Sequence, residues 1–277
     1  MKKFGLIGHP ISHSLSPALF KAGYDGHHSY DLIEEEDFEK AFERFCNEYD
    51  AINVTAPFKE LAYRKAEGAS DACKAIGAAN ILTISGEDRF VYAENSDVDG
   101  VVGSFKALGV TYERSKKALI VGCGGAAMAA AYATAVKLGH HTVIINRNVE
   151  KAQKFVERLS YGSRITAAGL DTFAEHFKDA DIVVYTLPVA IPAIDNLTRS
   201  EIRGAKFWQK CRSKIILEAN YKDPAFTPEL KKRLQKVNPG IQFIDGKEWL
   251  LHQAIGAYDR FGLSEPNVEA MRRVIEK

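Results

Sequence analysis

The sequence predicts an α/β protein in two parts: an N-terminal α/β unit, then a unit built on a doubly wound parallel sheet. Three observations carry this. Strand and helix signals alternate through the first hundred residues. A short apolar strand, Ala118-Leu119-Ile120-Val121, runs straight into Gly122-Cys123-Gly124-Gly125-Ala126-Ala127 and an Ala-rich helix. Further β-α-β signals follow that turn, the pattern of a parallel sheet with helices on both faces.

The elements follow in order. Residues 4–8 form an apolar run, a buried strand. Ser16-Pro17 begins a helix, with serine as N-cap and proline at the first helical position. A second strand spans 29–33. Over 37–47 the apolar residues Phe38, Ala41, Phe42 and Phe45 recur at helical spacing. A third strand over 50–54 ends at the Thr55-Ala56-Pro57 loop, and short helices follow at 60–66 and 71–76. Strands at 81–85 and 90–93 flank Gly86-Glu87-Asp88, a hairpin signal. A helix over 98–108 leads to the strand at 118–121, the glycine turn and a helix reaching about residue 138. A strand at 142–146, a helix at 148–159, and strands at 181–185 and 214–218 come next. The tail, 247–261 and 264–276, reads as two helices. The domain division places 1–100 in one domain, 101–240 in the second, and 241–277 back with the first.

Bulk properties exclude several classes. The 277 residues carry 37 Lys+Arg against 36 Asp+Glu, so no global field attracts nucleic acid or anionic membranes. Cys46, Cys73, Cys123 and Cys211 are far apart and form no CxxC pair, which argues against a zinc site or a disulfide framework. The apolar stretch at the N-terminus is too short for a signal peptide core, and no run is long enough to span a membrane. The expectation is a cytoplasmic protein with reduced thiols, acting on a small molecule, with neither nucleic acid nor membrane as partner. Monomer and homodimer are equally open.

The turn Gly122-Cys123-Gly124-Gly125-Ala126-Ala127 fits G-x-G-x-x-A. Glycines permit the tight turn and let backbone N–H groups approach a phosphate; the helix N-terminus adds about half a unit of positive charge. Alone the motif is weak, but between strand and helix it marks a Rossmann-type dinucleotide domain. An NAD enzyme usually has Asp or Glu at the end of the next strand. Here the chain reads Asn146-Arg147-Asn148, with Lys151 one turn on. Arg147 and Lys151 suit a 2′-phosphate, hence NADP. The alternative is a solvated arginine at a helix start, which leaves NAD open.

Two further loops carry chemistry. Asn53-Val54-Thr55-Ala56-Pro57-Phe58-Lys59 and Asn95-Ser96-Asp97 offer a lysine and an aspartate, each beside small polar residues. Such a pair can move a proton at a hydroxyl while a nicotinamide takes the hydride.

Together these residues resemble the shikimate dehydrogenase family, which includes the shikimate/quinate dehydrogenases. Gly8-His9-Pro10-Ile11-Ser12-His13-Ser14-Leu15-Ser16-Pro17 is similar to its G-x-P-I-x-H-S-x-S-P opening. Residues 53–59 match N-V-T-x-P-x-K, and Asn95 to Gly100 match N-T-D-x-x-G with one change. The glycine turn and Asn146-Arg147 are in place. Tyr221 falls in Y-x-x-P-x-x-T-P, and Gln253 follows Trp249-Leu250-Leu251. The resemblance covers nearly the whole chain. It implies NADP-dependent reduction of 3-dehydroshikimate to shikimate, on the route to chorismate and the aromatic amino acids. It makes Lys59 and Asp97 the catalytic pair. It places Ser14 and Ser16 on the substrate carboxylate, and Thr55, Asn80, Tyr221 and Gln253 around the ring. Gly122, Gly124, Gly125, Ala126, Asn146, Arg147 and Lys151 would hold the cofactor. No metal is implied, and His13 is taken as structural.

Singly, each residue has a plainer role. Ser14 and Ser16 can cap a helix, Lys59 can be an exposed first-turn residue, Asp97 an N-cap, Asn80 a turn residue, and Tyr221 and Gln253 packing. Their recurrence in order is what points to a site. The chain also departs from the family. Ser96 replaces threonine, Asn148 replaces a threonine common after Asn-Arg, and Ile81 stands where threonine often follows Asn80. The N-A-T-x-x-G loop before the nicotinamide is absent; Tyr185-Thr186-Leu187-Pro188-Val189-Ala190 stands there, and its bulk is expected to reshape the pocket. Two rivals follow: an NAD-preferring quinate or shikimate dehydrogenase, and a non-catalytic protein that binds a shikimate-like ligand.

Overall fold

The computed structural model describes residues 2–159, 164–204 and 212–276, so Cys211 lies outside the described residues. Two compact units emerge: Met1–Gly100 with Leu250–Lys277, and Val101–Trp249. Each is built on its own six-stranded sheet.

In the first unit the chain runs β1 (Lys3–Gly8), α1 (Ser16–Tyr24), β2 (Ser29–Glu34), α2 (Phe38–Glu48), β3 (Ala51–Val54), α3 (Lys59–Lys65), β4 (Gly68–Ala69), α4 (Asp71–Ile76), β5 (Ile81–Ser85) and β6 (Phe90–Glu94). The strand order is β2-β1-β3-β5-β6-β4. β1 is parallel to β2 and β3, while β5 is antiparallel to β3 and β6. Adjacent strand residues face opposite ways. Ile7, Ile52 and Leu82 therefore join Phe38, Ala41 and Phe45 of α2 on one face. Phe4, Ala51 and Ile81 join Leu19 and Phe20 of α1 on the other. Asp37 caps α2 by accepting from Glu39 N, and Ser70 caps α4 by accepting from Cys73 N. The expected cap at Ser16 is corrected: Leu15 holds the cap position of α1, with no side-chain cap bond. Ser14 Oγ instead accepts the Ser16 N–H at 3.2 Å, and Pro17 has no N–H to cap.

α5 (Asp97–Lys106) carries the chain into the second unit. There it runs β7 (Lys117–Val121), α6 (Gly125–Tyr132) with a closing π-helical turn, β8 (His141–Asn146), α7 (Val149–Leu159), β9 (Ile165–Gly169), α8 (Phe173–Asp179), β10 (Ile182–Tyr185), α9 (Pro192–Asp195), α10 (Arg199–Arg203), β11 (Lys214–Glu218), α11 (Pro228–Val237) and β12 (Ile241–Ile244). Every pairing is parallel, in the order β12-β11-β10-β7-β8-β9. The order reverses between β7 and β10, and the crevice at such a switch point is where dinucleotides bind. The chain returns through α12 (Gly246–Arg260) and ends in α13 (Val268–Ile275). Residues 241–249, grouped above with the returning tail, belong to the second unit, because β12 pairs with β11. No helix among the described residues is long and apolar enough to cross a membrane.

Candidate active site

The lysine and the aspartate meet in the first unit. Past β3, Phe58 N donates to Thr55 O at 3.0 Å, closing a turn, and the Phe58 ring packs 5.5 Å from Phe38. That anchor sets Lys59 as the first residue of α3. Asp97 opens α5, where a helix N-terminus favours a carboxylate. Asn95 Oδ1 accepts the Asp97 N–H at 3.0 Å, while Asn95 Nδ2 donates to Ala78 O at 2.8 Å. Lys59 Nζ stands 2.6 Å from Asp97 Oδ2, a pair 38 residues apart in sequence. The aspartate side chain is 4% exposed and the lysine 19%, so solvent or a ligand reaches the pair from the lysine side.

Asn80 is fully buried beside them. Its amide nitrogen donates to Asp97 Oδ1 at 3.1 Å and Ser96 Oγ at 3.2 Å, and its carbonyl oxygen accepts from Ser96 N at 2.7 Å. Expected on the ligand ring, Asn80 here has its amide engaged on the Ser96-Asp97 turn. Asn53 extends the network, donating to Asn80 O at 3.3 Å and accepting from the Tyr30 hydroxyl at 2.8 Å. Asn53, Asn95 and Tyr30 had no assigned role; the motifs contain both asparagines, but the contacts depend on strand register.

The other predicted residues of this unit are half-buried. Ser14 Oγ donates to Ser16 Oγ at 3.1 Å, which puts both hydroxyls together at the start of α1. Thr55 N donates to Ile7 O at 2.8 Å, holding Thr55 just past β3 and alongside the end of β1. Gln253 lies on α12. His13 is exposed. Among the described residues no cluster of His, Cys, Asp or Glu is placed to hold a metal ion.

In the second unit the glycine turn sits at the switch point. Gly122 has φ 113°, a left-handed conformation that side chains avoid, and a Cβ there would stand 2.6 Å from Thr186 Oγ1 after β10. Gly124 faces open space and is the cap residue of α6, which has no side-chain cap. The leading N–H groups of α6 are thus left for a ligand. Gly125 and Ala126 are half-buried. Arg147 and Lys151 are exposed past β8. Asn148 caps α7, its Oδ1 accepting from Lys151 N at 3.0 Å, and Asn146 Nδ2 donates to Asn148 O at 2.9 Å. Burial pushes the Cys123 thiol up, partly offset by the charges of Lys151 and Arg158. A free helix N-terminus, a turn open at Gly124 and nearby cations fit a dinucleotide with an extra phosphate.

The divergent loop departs from expectation at Tyr185. The ring is fully buried, edge-on to Phe226 at 5.6 Å, and the hydroxyl donates to Val189 O at 2.7 Å. Burial pushes its pKa up to about 12. The bulk goes into the core of the unit and the hydroxyl pins the loop. Thr186 Oγ1 donates to Val121 O at 2.7 Å, joining β10 to the glycine turn. Tyr221 belongs to this unit, half-buried on the loop after β11, and burial raises its hydroxyl. Glu218, unforeseen from the sequence, shapes that loop: its buried carboxylate accepts from the N–H groups of Ala225 and Phe226. Asn220 closes it, donating to Asp223 O at 2.7 Å.

Comparison with known proteins bears on the family and the fold. A family model described as the shikimate dehydrogenase substrate binding domain matches residues 6–82, and one described as shikimate / quinate 5-dehydrogenase matches 108–206. The chain is 29% identical to shikimate dehydrogenase (NADP(+)) of Brucella melitensis biotype 2, over 99% of this chain and 93% of that one. It is 29% identical to the Bacillus subtilis protein of the same name, over 99% and 97%. The solved Mycobacterium tuberculosis shikimate dehydrogenase is 27% identical, with a TM-score of 0.79 over 100% of this chain and 99% of that one. Two family models covering most of the chain, and relatives matched nearly end to end, place the protein in the shikimate dehydrogenase family.

Proposed function

We propose that the protein is an NADP-dependent shikimate dehydrogenase, which reversibly reduces 3-dehydroshikimate to shikimate for chorismate and aromatic amino acid biosynthesis in the cytoplasm. The 2.6 Å Lys59–Asp97 pair carries this reading. Reducing a ketone needs a hydride at carbon and a proton at oxygen. NADPH, when bound, supplies the hydride. Lys59 stabilises the developing alkoxide and gives it a proton, forming the hydroxyl; in the reverse direction Lys59 takes that proton back. Asp97 orients the ammonium and balances its charge, and Asn80 fixes Asp97. Ser14 and Ser16 offer adjacent hydroxyls to the substrate carboxylate, which accepts several hydrogen bonds. Thr55, Gln253 and, on the resemblance alone, Tyr221 are assigned to the ring hydroxyls. A site built for hydroxyls rejects analogues that lack them.

Gly122, Gly124, Gly125 and Ala126 are assigned to the cofactor pyrophosphate, Asn146 to its ribose, and Arg147 with Lys151 to the 2′-phosphate. The substrate is a small molecule, and neither nucleic acid nor membrane takes part.

The test mixes purified protein with shikimate and either NADP⁺ or NAD⁺ and follows reduced-nicotinamide absorbance. Turnover is expected with NADP⁺, and Lys59→Ala should lower kcat by about a hundred- to ten-thousand-fold. Preference for NAD⁺ would remove the role given to Arg147. Absence of turnover on shikimate with both cofactors would overturn the assignment.

A further inference from the structure

One stripe of α12 presses on the segment that carries Asp97. Gln253, Gly256 and Arg260 lie at i, i+3 and i+7, on a single helix face. Gly256 is the point of closest approach: a Cβ there would stand 2.9 Å from Asp99 Cβ and 3.0 Å from its Cγ. One turn further on, Arg260 reaches both ends of segment 94–99. Its Nε donates to Glu94 Oε1 at 3.1 Å, and its Nη2 stands 2.9 Å from Asp99 Oδ2. Its Nη1 donates to Gly256 O at 2.6 Å, bracing the guanidinium on its own helix. Glu94 ends β6, and its backbone oxygen accepts from Asn80 N at 3.0 Å. Between the two gripped carboxylates, Asp97 is bound to Asn80 and Lys59.

We propose that Arg260 is a positioning residue: it fastens segment 94–99 to the helix that bears Gln253, and so fixes the spacing between Asp97 and Gln253. This rests on the assignment of Asp97 and Gln253 to the reaction site above. The motifs do not include Arg260; its role follows from the stripe on α12 and from two carboxylates flanking Asp97. Arginine suits the task where lysine does not, because its planar fork meets two carboxylates and a carbonyl at once in a fixed geometry. The side chain is 25% exposed, so its ion pairs are only partly open to salt screening. The predicted effect is on substrate more than on cofactor, since every group that Arg260 touches lies in the first unit.

Arg260→Gln and Arg260→Lys in the full chain test this, with steady-state kinetics on shikimate and NADP⁺, amide hydrogen exchange over residues 94–100, and a thermal melt. A misplaced group costs up to about a hundredfold. In Arg260→Gln the KM for shikimate should rise about tenfold while that for NADP⁺ stays within about twofold. Exchange over 94–100 should quicken while exchange in α2 stays unchanged, and Arg260→Lys should recover part of both effects. An unchanged shikimate KM with unchanged exchange in a folded Gln variant overturns the proposal, as does an equal rise in both KM values. If the Gln variant does not fold, the Lys variant is judged by the same two readouts. If the parent protein fails to oxidise shikimate, the proposed function falls, and the exchange over 94–100 still decides the role of Arg260.

Discussion

At the residue scale, Asn80 shows most plainly what a motif leaves unsaid about a site. The N-V-T-x-P-x-K and N-S-D motifs marked Lys59 and Asp97 directly, because the residue types themselves state the chemistry. What spacing did not reveal is that Asn80 serves both ends of the Ser96-Asp97 turn. That contact depends on the β5–β6 hairpin, in which Ile81 pairs with Glu94, and on Asn80 N donating to Glu94 O. The hairpin turn sets that register, but residue spacing does not state which side chains it brings against Asp97. Asn80→Ala strips one donor from Asp97 and leaves the buried Ser96 N–H without its acceptor. An unsatisfied buried group costs about 1–3 kcal/mol, and urea denaturation should show a loss of that size. kcat should fall as well, because Asp97 is then held only by Lys59 and Asn95. A folded variant with parental stability and kcat would show that Asn80 supports neither.

At the element scale, strong periodicity and apolar runs were legible, while the strands β4, β9 and β12 and the cap of α1 were not. Phe38, Ala41 and Phe45 fix α2, and the Ala118–Val121 run fixes β7. By contrast, β9 (Ile-Thr-Ala-Ala-Gly) has one large apolar residue, and β12 is four residues long. Both are edge strands, stabilised by their single neighbour rather than by their own pattern. The end of α8 is also completed from outside. Lys214 of β11 is fully buried, and its amine donates to Phe177 O at 2.5 Å and to Ala180 O, near the C-terminus of that helix. Burial pushes this amine down to about 7, with the charge of Arg212 acting in the same direction. A neutral amine still has two N–H groups, enough for both carbonyls. The unfolded lysine keeps its proton up to its ordinary value of 10.5. Between pH 7 and 10.5 the unfolded state therefore binds more protons, and stability rises with pH. The slope is at most about 1.4 kcal/mol per pH unit. Urea denaturation at pH 7, 8 and 9 should show the parent gaining on Lys214→Met across that range. Parallel stability curves would mean that Lys214 stays protonated in the fold.

At the scale of the whole molecule, the first unit is discontinuous in sequence, and its core shows what that requires. One face of its sheet is covered by a cluster that draws Phe4, Leu19, Phe20, Ala51 and Ile81 from the first hundred residues. Tyr24 joins these, and Leu251, Ala257, Tyr258, Phe261, Met271 and Ile275 come from the tail. Phe4 and Phe261 stack at 5.0 Å with planes 3° apart, and Tyr258 meets Phe20 edge-on at 5.1 Å. The two tail helices and their return to the first domain were expected from the sequence; the residues they meet there were not, because no local pattern names a partner on a distant sheet. The second unit has no such debt: its large cluster lies wholly between Leu119 and Ile241. Burying a large apolar side chain is worth about 1.5–3 kcal/mol, so losing the tail costs on the order of 10 kcal/mol. That matches the whole stability of an ordinary domain, about 5–15 kcal/mol. Ending the chain after Trp249 should therefore unfold the first unit while the second keeps its fold. The truncated protein is expected to lose turnover on shikimate, to expose residues 1–100 to protease, and still to show a melting transition that NADP⁺ raises. If residues 1–100 resist protease as in the parent, the tail is not what closes that core. If the NADP⁺-dependent transition disappears with the tail, the second unit does not stand on its own cluster.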